Sequence, residues 1–233
     1  MSEMTAADAA EHLQVSQRQV RRLADDGVLI ISRVVGRSLL LDAASVHRLA
    51  GRVRHNGRPW TPATAWAALT LLSGGRAPWM DSAALSRLRH RLRGAHAPEV
   101  AWLARGRARV HQMRGWGRDD GLVLTGVSAL RDPEVAARFG LSPVERGIDG
   151  YVPARDFPAT VAKLGLIDDL EGDITVRVIP DDAGYTVDRP LIAAIAVDLS
   201  ESLDTREASA GERVLDELLD AFRAGNTRGE NVR

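Results

Sequence analysis

Five long polar side chains crowd six consecutive positions near the start of the chain: Gln17, Arg18, Gln19, Arg21 and Arg22. A glutamine amide pairs with the edge of adenine, and a guanidinium with guanine or a phosphate. They can act together only if one helix face presents them. Val20, Leu23 and Ala24 recur at helical spacing and claim the inward face. Gln17, Arg18, Arg21 and Arg22 therefore face outward, with Ser16 and Gln19 beside them. A helix with this face is suited to the major groove of duplex DNA.

The flanking residues read as the elements that would position such a helix. Thr5 is placed to cap a first helix, with Asp8 near the positive end of its dipole and Ala9, Ala10 and Leu13 facing inward. Gln14-Val15-Ser16 makes a tight turn, and Ser16 caps the second helix, Gln17 to Asp26. Gly27 ends that helix in the left-handed conformation. Two strands, Val28 to Val35 and Ser38 to Asp42, join at Gly36-Arg37 as a hairpin. Arg33, Arg37 and Ser38 sit where such a wing would touch the DNA backbone or minor groove. Asp42 then caps a short helix to about Arg52, with Val46 and Leu49 inward.

Composition narrows the choices. The 233 residues include no cysteine, which excludes disulfides, thiolate catalysis and Cys-bearing zinc sites. The N-terminus is acidic and alanine-rich, unlike a signal peptide, and the longest apolar run, Leu191 to Val197, is too short to cross a bilayer. A cytoplasmic protein without membrane partners is the expectation. Formal net charge is zero, yet residues 1–118 hold 19 Arg against 8 Asp or Glu, and residues 119–233 hold 12 Lys or Arg against 23 acidic residues. That asymmetry suggests a first part that meets a polyanion and a second that does not.

Four segments are expected: 1–54, the DNA-binding head; 60–118, a basic helical segment; 119–224, an acidic α/β domain; and 225–233, a disordered tail. His55 to Pro59 reads as a hinge. Thr61-Pro62 opens a helix to about Leu72, and Asp81-Ser82 opens another to Arg93, with Leu85, Leu88 and Leu92 inward. A short helix follows from Pro98, and Arg107 to Arg114 alternates like a strand. Arg87, Arg91, Arg107 and Arg109 are candidates for phosphate contacts, although a basic stripe also serves to solvate a core helix. Most of the five tryptophans here are expected in the core.

In the acidic part, strands are expected at Leu122 to Leu124, Ile148 to Val152 and Ile174 to Ile179. Helices are expected near Pro133 to Phe139, Phe157 to Leu164 and Asp204 to Arg223, the last with a capping-box start. No catalytic signature stands out. Gly126-Val127-Ser128 lacks the second glycine of a nucleophile elbow. Asp168-Asp169 and Asp181-Asp182 are adjacent pairs in loops, Asp168 to Asp173 does not match a calcium loop, and no phosphate-binding glycine loop appears. His90 and His96 lack the spacing of a metal site. No enzyme activity, cofactor or metal is expected.

Two resemblances rest on these residues. Met4-Thr5-Ala6-Ala7-Asp8-Ala9-Ala10-Glu11-His12-Leu13-Gln14-Val15-Ser16, then Val20-Arg21-Arg22-Leu23 and Asp26-Gly27-Val28-Leu29, resemble the excisionase and MerR-like winged helix-turn-helix family. One position departs: Gln19 stands where that family often has threonine. Leu122 to Leu130, Asp149-Gly150-Tyr151-Val152, Ile174 to Val178, Ala196-Val197-Asp198-Leu199 and Asp204-Thr205-Arg206-Glu207 look like AbiEi-like antitoxin regulators. The resemblance implies a repressor of its own operon, with a nucleotidyltransferase toxin as partner. The Asp-x-Asp behind a Gly-Ser that would mark such a toxin is missing from this sequence.

The sequence thus points to an α+β protein with three parts: a winged helix-turn-helix, a helical basic middle and a mixed α/β C-terminal domain. Its expected function is a sequence-specific transcriptional repressor of the antitoxin type that binds double-stranded DNA. Helix-turn-helix proteins often pair on half-sites one turn apart, so a homodimer is one expectation. Two DNA-contacting units in one chain would make a monomer sufficient. A regulator sensing a small molecule between the apolar segments around Leu122, Ile174 and Leu191, which read equally well as core strands, an architectural DNA-bending factor, and a protein-binding adaptor are the alternatives.

Overall fold

The computed structural model describes residues 3–13, 15–25, 27–36, 38–43, 45, 46, 49 and 58–230. The chain is α+β and divides into two compact units, Met1–His55 and Asn56–Arg233.

In the first unit, strand β1 (Glu3–Thr5) leads into helix α1 (Ala6–His12). Helix α2 (Gln17–Asp25) and strands β2 (Ile31–Val35) and β3 (Ser38–Asp42) follow. The sheet order is β1-β3-β2, all antiparallel, with Glu3 opposite Asp42 and Thr5 opposite Leu40. The order β-α-α-β-β is only loosely that of a winged helix-turn-helix. Thr5 caps α1 by accepting the Asp8 N–H at 3.2 Å, and Ser16 Oγ accepts the Gln19 N–H at 3.2 Å at the start of α2. Ala9, Val20, Leu29, Leu41 and Val46 close a small core. Gly27 has φ +71, and beyond it the Val28 and Leu29 N–H groups both bond to Leu23 O. That wrapping delays β2 by three residues relative to the expected Val28. Asp42 Oδ1 accepts the Ser45 N–H at 2.7 Å, as a cap would. Residues 50–57, which include most of the expected hinge and the end of the head's third helix, lie outside the described residues.

The second unit begins with helices α3 (Pro62–Leu72), α4 (Ser82–Gly94) and α5 (Ala97–Ala104) and a 3-10 turn at Arg105–Arg107. It continues through β4 (Arg109–Arg114), β5 (Val123–Leu124), α6 (Gly126–Ala129), α7 (Pro133–Arg138), β6 (Ile148–Pro153), α8 (Phe157–Leu164), β7 (Ile167–Asp168) and β8 (Ile174–Ile179). Helices α9 (Ile192–Ser200) and α10 (Thr205–Glu230) complete it. The sheet order is β5-β6-β8-β4-β7, with β6 and β8 parallel and the other pairs antiparallel.

Strand periodicity sorts the side chains onto two faces. Met113, Ile148, Val152, Ile174, Val176 and Val178 pack with Leu164 of α8 on one. Tyr151 and Ile179 pack on the other with Trp66, Leu69, Leu92, Val100, Ile195, Val197, Val214 and Leu215. This larger core is built jointly from residues of 60–118 and of 119–224. The charge boundary near residue 118 is therefore not a structural boundary, because neither segment closes a core alone.

Two further expectations are corrected. The run Leu191 to Val197 opens a helix, not a strand. Three alanines at 193, 194 and 196 favour that state, and its burial on all sides makes period-2 alternation uninformative. Leu122 and Ile174 belong to a different core from Leu191, although Val123 and Ile179 of the same segments join Leu191 in the larger one. Helix α10 runs on to Glu230, through most of the expected disordered tail. No helix among the described residues is long and apolar enough to cross a membrane.

Helices α9 and α10 pack at very close range through Gly211. A Cβ there would stand 2.5 Å from Ala196 O and 2.6 Å from Ser200 N. Alanine is the better helix former by about 1 kcal/mol, so propensity alone would make Gly211→Ala stabilising. The backbone clash reverses the sign. Gly211→Ala is expected to destabilise the second unit by about 2 kcal/mol, within the usual range for overpacking, read as a lower urea midpoint.

Candidate nucleic-acid interface

Helix α2 divides as its spacing predicts. Val20 and Ala24 are buried and Leu23 is half-buried, while Ser16, Gln17, Arg18, Gln19, Arg21 and Arg22 are exposed. Three arginines and two glutamines thus share the open side of a nine-residue helix whose first turn holds no acid. The helix is anchored at both ends, by Ser16 at its start and by the turn at Gly27 beyond its end.

The hairpin is less free. Arg33 is exposed but chelated by Glu3 of β1: Nε donates to Oε1 at 3.0 Å and Nη2 to Oε2 at 2.8 Å. Ser32 Oγ adds a bond to Glu3 Oε1 at 2.7 Å. These hydrogen bonds, from Arg33 first and then Ser32, hold the Glu3 carboxyl below its ordinary range. A phosphate reached by Arg33 would have to share it with Glu3. The three-residue strand β1, which brings Glu3 there, has no sequence signal of its own. Ser38 lies at the first position of β3. Arg37 lies outside the described residues.

In the second unit, Arg87 and Arg91 are exposed on α4, as are Arg89, His90 and Arg93. Arg91 pairs with Glu99 at 2.9 Å. Arg109 is exposed at the start of β4. Trp66 is fully buried, its Nε1 donating to Arg107 O at 2.9 Å, and Trp60, Trp79 and Trp102 are half-buried. Trp116 is the exception at 69% exposed, its ring lying over Gly165.

Arg107 is a correction. It is buried, and all five of its N–H groups are engaged: with Tyr151 Oη at 2.8 Å, Ala104 O at 3.2 Å, Glu201 Oε1 at 3.0 Å, Glu201 Oε2 at 2.9 Å, and Asp198. No donor remains for a phosphate. Alternation within Arg107 to Arg114 suggests an exposed strand, but Arg107 precedes β4 in the 3-10 turn, which directs it into the core.

Around it lies a buried charge cluster that sequence spacing does not reveal. Asp149 and Tyr151 on β6 share a face with Arg177 on β8, since Tyr151 is the register partner of Arg177. Asp198 of α9 comes down onto that face. Arg177 grips Asp149 through two bonds of 2.7 and 2.9 Å and reaches Asp198 and Glu201 at 3.2 Å each. Tyr151 Oη donates to Asp198 Oδ1 at 2.9 Å, and Thr125 Oγ1 donates to Asp198 Oδ2. Burial raises the Asp149 carboxyl above its ordinary value despite Arg177. Burial would also raise Glu201, but the charges and hydrogen bonds of Arg107, then Arg177, outweigh it and hold that carboxyl low. Among the described residues no group of three His, Asp or Glu side chains is placed to hold a metal.

The cluster ties an arginine of the basic segment to carboxylates of the acidic one. Arg107→Ala leaves Asp198 buried with one guanidinium fewer, and is expected to cost about 3–5 kcal/mol of stability by denaturant titration. For Glu201, a pKa lowered in the folded state means stability present above the ordinary carboxylate range and lost as pH falls through the folded value. Glu201→Gln is therefore expected to be destabilising at neutral pH. Its deficit from the parent protein should shrink as the solution is acidified below the ordinary glutamate pKa, followed by thermal melts across pH.

No family model, curated protein or solved structure matches this chain.

Proposed function

We propose that this protein binds duplex DNA in a sequence-specific way through helix α2 and acts as a transcriptional repressor of the antitoxin type. The observation that carries the DNA-binding part is the open face of α2. Gln17, Arg18, Gln19, Arg21 and Arg22 point to solvent from a helix fixed by Ser16, Gly27 and the buried Val20 and Ala24. A helix so held is pre-organised for base reading, with Gln suited to adenine and Arg to guanine. Arg33 and the hairpin would add backbone contacts in the manner of a wing.

The antitoxin part rests on the resemblance of segments such as Leu122 to Leu130, Asp149 to Val152 and Asp204 to Glu207 to AbiEi-like regulators. In that reading a nucleotidyltransferase toxin is the functional partner. A small-molecule sensor is the weaker reading, because Ile174 and Leu191 are committed to two separate cores.

A mobility-shift titration against the DNA upstream of its own gene tests the DNA-binding reading. Each well-made bidentate base contact is worth about 1–3 kcal/mol. Arg18→Ala combined with Arg21→Ala should therefore weaken that complex at least about tenfold, and binding to an unrelated duplex by less. Undiminished binding by the double variant would remove α2 from the role assigned to it.

A further inference from the structure

Helix α4 carries a second polyanion surface of a different kind. At about 100° per residue, Arg87 and Arg91 form one row along the helix and Arg89 and Arg93 another, about 160° away around the exposed side. Leu88 and Leu92 are buried on the opposite side. Between the rows lie the exposed Ala83, Ser86 and His90, and the helix has no acidic residue after its cap, Asp81.

Part of this charge has an internal explanation. Arg91 and Arg93 stand in the last turn, where the helix dipole favours cations, and Arg91 also meets Glu99. Arg223 of α10 closes the same end by donating to Arg93 O at 2.9 Å and to Ala95 O. Arg87 and Arg89 have no such account. They sit mid-helix, and neither makes an ion pair with a described residue. Each stands four residues before another arginine, Arg91 or Arg93, and like charges at that spacing are mildly destabilising unless something outside neutralises them.

We infer that α4 lies in the major groove of duplex DNA and grips phosphates of both strands, Arg87 and Arg91 on one side and Arg89 and Arg93 on the other. The dimensions agree. A helix with its side chains is about 10–12 Å across, and the groove is about 12 Å wide. The strip facing the groove floor holds alanine, serine and one histidine, with none of the paired donors that read bases. The helix therefore supplies affinity and register without sequence preference. This inference rests on the reading of the protein as a duplex binder, and it assigns the grip to a different unit from the base-reading α2.

The test uses the full-length chain and two labelled duplexes, one from upstream of its own gene and one unrelated, followed by fluorescence anisotropy from low to moderate salt. Arg87→Gln with Arg89→Gln should weaken both duplexes by the same factor, at least about fivefold. The slope of log affinity against log salt should fall by about 2, one unit for each phosphate no longer neutralised. Arg87→Lys with Arg89→Lys should restore most of the slope, since a point charge suffices for a phosphate. An unchanged slope in the glutamine variant overturns the inference while leaving the α2 reading intact. So does a weakening confined to one duplex, or one that lysine does not rescue. Failure of the wild-type chain to bind either duplex overturns both readings.

Discussion

Arg107 spends every one of its donors inside the second unit, and much of that unit's architecture follows from satisfying them. A guanidinium taken out of water is costly unless its charge and all its N–H groups find partners. Here the partners come from four places in the chain: the end of α5, strand β6, helix α9 and the residue just after α9. Arg177 supplies the second positive charge that three neighbouring carboxylates require. Helix α9 must sit where Asp198 reaches the sheet, and β6 and β8 must keep the register that places Tyr151 beside Arg177.

This cluster also changes the meaning of the charge asymmetry along the chain. Read linearly, a basic first half and an acidic second half suggest two functions. In the fold, several of those charges meet each other: Arg107 with Asp198 and Glu201, Arg114 with Asp169. The head holds 8 Arg against 6 acidic residues, so most of the basic excess lies in 56–118, within the second unit. Among the described residues, exposed arginines remain on α2, such as Arg18 and Arg21, and on α4, such as Arg87 and Arg89. Linear charge counts overstate how much surface is available to a polyanion, and burial decides which arginines remain.

Elements with chemical punctuation were legible from sequence. Thr61-Pro62, Asp81 and Asp204 each begin a helix at the expected place, because a capping side chain acts within three residues of itself. Strand β8 was legible from its alternation. The outward face of α2 was legible too, because it depends only on helical spacing. Features decided by partners far along the chain were not. Strand β1 exists by pairing with β3, nearly forty residues away, and Glu-Met-Thr has no pattern of its own. Asp198 reads as one acid in an apolar run, and its pairing with Arg107 spans 91 positions.

That span has a temporal side. During synthesis the head has all of its core residues once position 49 has emerged, so it can close early. The second unit cannot. Leu88, Leu92 and Val100 share a core with Val214, Leu215 and Leu219, and Arg107 has no counter-charge until Asp198 and Glu201 are made. For most of the time on the ribosome, the apolar sides of three helices and an unmatched guanidinium wait for the last fifth of the chain. A message cut short within that stretch would yield a finished head carrying an unclosed appendage, a natural target for chaperones and proteases.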